Sequence, residues 1–214
     1  MNIPATQTSK RGRPPRSNQR ATHDRILDAA LEVFSEHGFD GATVRQIAAK
    51  VSVTDPALYS HFKGKKEIFE ALMREAGPDL LGTVAGGVGL DQFPAQIAIP
   101  KMFGSIVEAW TAPRARAFIS LVLRMGPDGI GNALKEVSTQ LRPVFDTWQA
   151  RGELRADISA EVAIWQVIGP LSALRITYMN GDASSTDVAH GTKLALAHLD
   201  LITRTLTNTR GEVT

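Results

Sequence analysis

Residues 43–62 read TVRQIAAKVSVTDPALYSHF and predict two short helices joined by a tight turn. Thr43, followed three residues later by Gln46, forms a capping box that starts the first helix. Asp55-Pro56 starts the second, because aspartate can cap a helix and proline fits the first turn, where its missing N–H has no partner. We expect this second helix to run from Pro56 to about Phe62. The residues expected inside are Ile47, Ala48, Val53 and Leu58, and those expected on the outer face are Arg45, Ala57, Tyr59, Ser60 and His61.

One helix is predicted before this unit and another after it. From Thr22, which can cap a helix, apolar residues recur at the spacing of one buried face as far as Phe34, and Gly38 supplies the left-handed position that ends the helix. The same pattern returns over Lys65–Ala76. Two short helices braced in this way form a helix-turn-helix, whose second helix enters the major groove of DNA. Residues 22–76 are therefore predicted to be a DNA-binding domain.

The rest of the chain is predicted to be helical as well. After a segment with four glycines, Gly82–Gly89, the pattern indicates four or five longer helices from about Phe93 to Asn208, with few strand signals. The interruptions between them are Pro113, Gly126-Pro127, Gly152 and Asn180-Gly181. The predicted fold class is therefore all-α, with a three-helix helix-turn-helix domain at the N-terminus and a larger helical domain over residues 77–214.

Composition argues against several classes of protein. The chain has no cysteine, a net charge of +2, and no apolar stretch near the roughly 18 residues that a membrane span needs. A cysteine-free chain fits the reducing cytoplasm. Because no nucleophile elbow, phosphate-binding glycine loop or paired-carboxylate motif is present, an enzyme is not expected. His190 and His198 lie two turns apart near Asp187 and Asp200, but this spacing matches no standard ligand set, so neither a metal nor a cofactor is expected.

The first 21 residues are predicted to be a basic arm that is disordered in the free protein. They carry five basic residues, Lys10, Arg11, Arg13, Arg16 and Arg20, and no acidic residue. The segment Arg11-Gly12-Arg13-Pro14 resembles the AT-hook, in which arginines enter the narrow minor groove of A·T-rich DNA. The alternative is a solvated basic tail that adds affinity for any DNA sequence.

The helix-turn-helix region closely resembles the signature of the tetracycline-repressor (TetR) family. The resemblance is carried by Ala42–Ala48, Val53-Thr54, Ala57–Phe62 and Lys65-Lys66-Glu67, and upstream by Ile26–Ala30. It spans Thr22 to Met73 without gaps. It departs at Ser52, where the family usually has glycine, and a left-handed serine there would cost on the order of 1 kcal/mol.

The resemblance implies a function as well as a fold. A member of this family would be a homodimeric DNA-binding regulator of transcription, a repressor that a small-molecule effector releases from a palindromic operator. The effector would bind in the C-terminal domain, which would also form the dimer. An alternative is an architectural DNA-binding protein that needs no effector. An enclosed cavity of drug size in the larger domain would favour the sensor, and a solid interior the architectural protein.

Positions in the signature imply roles for individual residues. Thr43, Tyr59 and Lys65 correspond to contacts with backbone phosphates, and Arg45 to a residue that reads bases in some members. The positions of the second helix that would face DNA are Thr54, Asp55, Pro56, Ala57, Ser60 and His61. For Asp55 we favour the role of a helix cap over base readout. Tyr59 could instead be a core aromatic, and His61 could serve local packing.

The C-terminal domain carries candidates for a dimer interface and an effector pocket. Glu161–Asn180 is apolar on nearly every side, so it needs a second partner beyond its own domain. The residues expected at the interface are Val162, Trp165, Leu199, Ile202 and Leu206. Those suited to a pocket are Trp110, Arg124, Met125, Trp148, Arg175 and Tyr178. For each of these aromatics we favour the alternative of plain core or interface, and for Arg175 that of pairing with an acid or lying at the dimer seam.

Overall fold

The structure is a computed structural model that describes residues 16–76, 89–124 and 127–208. In these ranges the chain forms nine α-helices, a short 3₁₀ helix at Leu90–Gln92 and one isolated bridge between Leu154 and Thr207. The all-α prediction is confirmed. The helices are α1 (Arg16–Gly41), α2 (Val44–Val51), α3 (Asp55–Tyr59), α4 (Lys65–Ala76), α5 (Ala95–Trp110), α6 (Pro113–Arg124), α7 (Pro127–Ala150), α8 (Ala160–Tyr178) and α9 (Ser185–Leu206).

Helix α1 is longer than the sequence pattern predicts. It begins at Arg16 rather than at Thr22, so the prediction of a disordered arm as far as Ala21 is wrong over its last residues. Arginine and alanine at positions 20 and 21 are good helix formers, and both are exposed, so they extend the helix backwards without contributing to its buried face. The helix kinks at Gly38, where φ is 69° and ψ is 170°. The predicted left-handed helical position is therefore wrong, because ψ lies far outside that region, but this combination of φ and ψ is open almost only to glycine.

Helices α1 to α4 enclose the first hydrophobic core. Ile47, Leu58 and Phe62 turn their side chains into it and are almost completely buried. Polar contacts brace α2 against α1: Lys50 forms ion pairs with Glu32 and Glu36, at 2.6 and 3.0 Å. Helices of eight and five residues gain most of their stability from such packing rather than from propensity.

Helices α5, α7, α8 and α9 share a second core. Trp148 lies fully inside it, with its ring 5.0 Å from that of Phe145 and its indole N–H donating to the carbonyl of Phe93 at 3.0 Å. A capping box between Ser184 and Asp187 starts α9. None of the helices within the three described ranges is long and apolar enough to cross a membrane.

Helix α6 joins the two halves of the molecule. Its Ala115, Phe118 and Leu121 belong to the first core, against α1 and α4, although α6 lies beyond the predicted domain boundary after residue 76. The guanidinium of Arg114, near the start of α6, lies within 2.7 to 3.4 Å of three carboxylates. These belong to Asp24 and Asp28 of α1 and to Glu75 of α4, and we call this group the Arg114 cluster. Helices α1 and α4, which pack around α2 and α3 (the two short helices that we call the reading unit), are thus joined to α6 by apolar and ionic contacts.

Ser52, at the end of α2, provides a test of local backbone strain. Its φ of 58° and ψ of 42° are left-handed, as predicted. We expect Ser52→Gly to raise the free energy of unfolding by about 0.5–1 kcal/mol, because glycine adopts this conformation without the steric cost borne by L side chains. Urea denaturation measures the change. In the control Ser105→Gly, on an exposed face of helix α5, stability should fall, since glycine is a poorer helix former than serine. A loss of stability in both variants would contradict the assignment of strain to Ser52.

Candidate functional site

The turn between α2 and α3 orients the second short helix. Thr43 caps α2 through the predicted capping box with Gln46. At the other end, the backbone N–H of Ser52 donates to the carbonyls of Ala48 and Ala49, and that of Val53 donates to Ala48 at 3.0 Å. These bonds satisfy the last carbonyls of α2 and turn the chain directly into α3. The predicted helix-turn-helix is therefore present.

Helix α3 separates an apolar inner side from an exposed outer side. Leu58 is completely buried, whereas 54% of the surface of Tyr59 is exposed, so Tyr59 is not a core aromatic. A large exposed ring on a short, well-braced helix is suited to contact with a partner. His61 is half-buried. Seven of the exposed residues predicted to face DNA form what we call the reading face, namely Arg45, Thr54, Asp55, Pro56, Ala57, Tyr59 and Ser60.

Three residues of the reading face have local roles that the sequence did not predict. Helix α3 starts at Asp55, so Thr54 rather than Asp55 is the N-cap, and the Thr54 side chain makes no capping bond. Asp55 lies in the first turn, where a negative charge is favoured by the helix dipole. The hydroxyl of Ser60, just after α3, donates to the carbonyl of Ala57 at 2.6 Å. Its proton therefore already bonds to the backbone of α3.

Thr43 and Lys65, both predicted to contact phosphates, use their donor groups inside the protein. The backbone N–H and the hydroxyl of Thr43 both point to the side-chain oxygen of Gln46, each at 2.8 Å. The ammonium of Lys65 donates to three backbone carbonyls between 2.9 and 3.1 Å away. The structure therefore gives both residues roles within the fold, which the signature alone does not indicate.

A small apolar cavity lies between α5, α6, α7 and α8. Its volume is about 70 Å³, and its charged wall residue is Arg175. This side chain is 8% exposed, lies over the ring of Trp110 at 4.7 Å and donates to the carbonyl of Ala115 at 3.3 Å. Burial lowers the pKa of Arg175 to about 10, so the group stays charged at neutral pH. The cavity is lined by Phe103, Ile106, Trp110, Phe118, Ile119, Val122, Ile130, Ala133, Leu134, Val137, Ile168, Leu171, Ser172, Arg175 and Ile176.

Only part of the predicted pocket lies at this cavity. Trp110 and Arg175 line it, whereas Trp148 is core, as described above. Tyr178 packs edge-on against His190 between α8 and α9, and Arg124 is exposed and donates to the carbonyl of Ser35 in α1. Met125 lies outside the described residues. The prediction missed the apolar wall residues, because a side chain that borders a cavity follows the same helical spacing as one that fills a core.

The predicted dimer interface is wrong for its α9 residues. Leu199, Ile202 and Leu206 are buried within their own subunit, with Leu199 only 1% exposed, so they cannot also meet a second copy. Three other leucines of α9 are exposed, and two of them, Leu194 and Leu201, are seven residues apart and so lie on one side of the helix.

Exposed apolar side chains on α8 and α9 lie side by side. Val162 and Trp165 of α8 are 48% and 38% exposed, at predicted interface positions. A contact of 3.1 Å between His198 Nε2 and the carbonyl of Gln166 joins the two helices at this surface. We call the set Val162, Trp165, Leu194 and Leu201 the α8–α9 face. In the part of the chain that the structure describes, no group of three or more histidine or acidic side chains is arranged to hold a metal ion.

Comparisons with known proteins agree with the helix-turn-helix geometry. Residues 26–72 match the family described as bacterial regulatory proteins, tetR family. The transcriptional regulator SrpR of Pseudomonas putida is 28% identical over 160 residues, which cover 72% of this chain and 73% of SrpR. The regulator TtgW, also of Pseudomonas putida, is 32% identical over 110 residues, or 51% of this chain and 78% of TtgW. The chain belongs to the TetR family.

As a TetR-family protein, the chain is a helix-turn-helix DNA-binding regulator of transcription. Its fold is similar to that of SmeT, the repressor of the Stenotrophomonas maltophilia multidrug efflux pump SmeDEF. The TM-score is 0.62 at 19% identity, over 92% of this chain and 98% of SmeT. The reading face thus belongs to the part of the chain that the family match covers.

Tyr59 is the reading-face residue whose removal should weaken DNA binding most clearly. We expect Tyr59→Ala to lower affinity for the preferred duplex at least several-fold, by on the order of 1 kcal/mol, because an exposed aromatic contact is lost. Fluorescence anisotropy with a labelled duplex measures this. Lys66→Ala, on an exposed side chain outside the reading face, is the control. If Tyr59→Ala binds as tightly as the wild type, then α3 does not present this face to DNA.

Proposed function

We propose that this TetR-family chain is a homodimeric repressor, released from a palindromic operator when a small-molecule effector occupies the cavity between α5 and α8. The observation that carries this proposal is the position of α6. Phe118, Ile119 and Val122 of α6 line the cavity and also belong to the core of the DNA-binding domain. Occupation of the cavity would therefore act on the helix that braces the reading unit. The proposed regulator acts on DNA in the cytoplasm.

The α8–α9 face supports self-association. Its four large apolar side chains are exposed, on two helices whose opposite sides already fill the subunit core. A two-fold axis through the face would bury the same residues of both copies against each other. Two copies related in this way would present two copies of α3 about 34–36 Å apart, or a multiple of this spacing, which requires a palindromic operator.

The basic arm would add to this interface. Arg11 and Arg13 lie outside the described residues, and α1 begins directly after them, at Arg16. We propose that they contact the phosphates or the minor groove beside each half-site. Thr54, Ala57 and Tyr59 of the reading face would contact the major groove, and Arg45 of α2 the bases or backbone nearby.

The cavity is smaller than the drug-sized one that would by itself favour a sensor, and it is the chemistry of its wall that supports a sensor over an architectural protein. The wall is almost wholly apolar and carries one buried cation, Arg175. The cavity volume of about 70 Å³ is below the roughly 300–1,000 Å³ of usual ligand pockets, so an effector would have to move the surrounding helices apart. Trp110 and Arg175 would then meet an apolar ligand that carries a hydrogen-bond acceptor. SmeT, which has the same fold, has been solved in complex with triclosan.

The Arg114 cluster gives this movement a route to the reading unit. If α6 shifts when the cavity is filled, the ion pairs of Arg114 would transmit the shift to α1, through Asp24 and Asp28, and to α4, through Glu75. These two helices hold α2 and α3 in place. A coupling free energy of about 1–3 kcal/mol between effector and operator is typical of such proteins.

Selection of bound duplexes from a random pool tests the proposed operator binding. We expect the recovered sequences to share a palindrome, and Leu201→Glu to abolish the dimer and lower affinity for that palindrome at least tenfold, because it buries charge in the α8–α9 face. Sedimentation velocity and anisotropy measure the two effects. In the control Ile97→Glu, a residue of similar exposure on α5, the dimer should persist. A stable wild-type monomer, or recovered duplexes without symmetry, would contradict the proposal.

A variant with a filled cavity tests effector control without the effector. Ala133→Leu adds apolar volume to the cavity wall and should mimic the occupied state, lowering operator affinity several-fold while the dimer persists. Ala109→Leu, on the exposed side of α5, is the matched control. The Arg114→Gln change should reduce the effect of Ala133→Leu, which a double-mutant cycle measures. Equal operator affinities for Ala133→Leu and Ala109→Leu would mean that the cavity is not coupled to DNA binding.

A further inference from the structure

The ammonium group of Lys65 occupies the junction between α1 and α2. Its Nζ lies 2.9 Å from the carbonyl oxygen of Phe39, 3.0 Å from that of Asp40 and 3.1 Å from that of Ala42. A lysine ammonium carries three protons, so these three bonds use all of them. A phosphate contact by Lys65 would have to displace one of these carbonyls.

The same ammonium group also contacts an aromatic cluster. Nζ lies 4.9 Å from the centre of the Phe39 ring, within the range of a cation–π contact. The Phe39 ring packs against Phe34 of α1 and Phe69 of α4, at centroid distances of 5.6 and 5.1 Å. Phe69 follows Lys65 by one helical turn, so both side chains approach the junction from the same face of α4.

The position of Lys65 in its own helix also points to a tertiary role. Lys65 is the first residue of α4, where a positive charge opposes the helix dipole and lowers helix stability. The three carbonyls lie at the C-terminal end of α1 and just beyond it, where backbone carbonyls have no partner within the helix, and a lysine side chain can satisfy such groups. The contacts with α1 therefore account for a charge that α4 alone would disfavour.

The junction held by Lys65 leads directly into the reading unit. Ala42, whose carbonyl accepts from Lys65, precedes Thr43, the N-cap of α2. We propose that Lys65 is a positioning residue of the DNA-reading unit, which fixes the angle at which α2 and α3 leave α1 and supports operator affinity without touching a phosphate. This inference rests on the proposed operator binding.

Salt dependence distinguishes positioning from phosphate contact. Loss of one phosphate contact lowers the slope of log affinity against log salt by about 0.9. We expect Lys65→Met to lower operator affinity at least tenfold with an unchanged slope, and to leave affinity for a random duplex at low salt unchanged. Lys63→Met removes the same charge from an exposed side chain two residues away, and the effect of Lys65→Met is measured relative to it.

Lys65→Arg is a second variant at this position, and it keeps the positive charge. It allows the proposal to be tested if Lys65→Met does not fold. A planar guanidinium cannot direct three bonds to the same three carbonyls as an ammonium does, so we expect Lys65→Arg not to restore operator affinity. Amide NMR signals of Thr43 and Gln46 should move in both Lys65 variants, while those of α8 and α9 stay in place. All affinities are measured well below the melting temperature of the least stable variant, so that unfolding does not contribute.

Two results would overturn the inference. One is a slope reduced by about 0.9 in Lys65→Met together with full affinity in Lys65→Arg, which would identify a phosphate contact. The other is operator affinity in Lys65→Met equal to that of Lys63→Met. If instead the wild type shows no preference among duplexes, the proposed function fails before these variants are compared.

Discussion

The reading unit depends on packing from outside itself. Isolated helices shorter than about 12–15 residues are marginal in water, and α2 and α3 have eight and five residues. They persist because Ile47 and Leu58 are buried against α1 and α4, and because Arg25 of α1 donates to the carbonyl of Val51 at the end of α2. The orientation of the outer face of α3 is therefore set by α1 and α4. Any element that presses on those two helices can change how DNA is read.

Helix α6 is the element that packs against both α1 and α4. One side of α6 contributes apolar side chains to the first core. In its first turn, Arg114 forms ion pairs with three carboxylates of α1 and α4. Phe118 and Ile119 also border the cavity. Since protein interiors are close-packed, a ligand that enlarges the cavity cannot be absorbed locally and must move a helix. On the proposed mechanism that helix is α6, and the movement reaches α1 and α4 through ionic and apolar contacts together.

Local signals predicted where the short helices begin to within one residue, although α3 ends at Tyr59 rather than at about Phe62, and non-local contacts account for the larger errors. The capping box at Thr43, the strained Ser52 and the bounds of α4 depend on neighbouring residues, so the sequence indicated them directly. The role of Lys65 depends on carbonyls more than twenty residues earlier in the chain, which no local pattern reveals. The prediction for α9 failed for a related reason. Leucines recur on two sides of this helix, and the sequence does not tell which side meets the subunit's own core.

The two sides of α8 connect the cavity with the proposed dimer. Ile168 and Leu171 face the cavity, while Val162 and Trp165 lie on the exposed α8–α9 face. The exposed residues add little to the stability of a single subunit, because the inner side of α9 is already filled by Leu199 and its neighbours. Burying them requires a second surface, and a two-fold axis supplies it from the same residues. Helix α8 would then be fixed at the axis, so a change in the cavity between α8 and α6 would displace the reading unit relative to the axis. Such a displacement would change the distance between the two reading units of the dimer. A palindromic operator binds only when this distance matches the spacing of its half-sites.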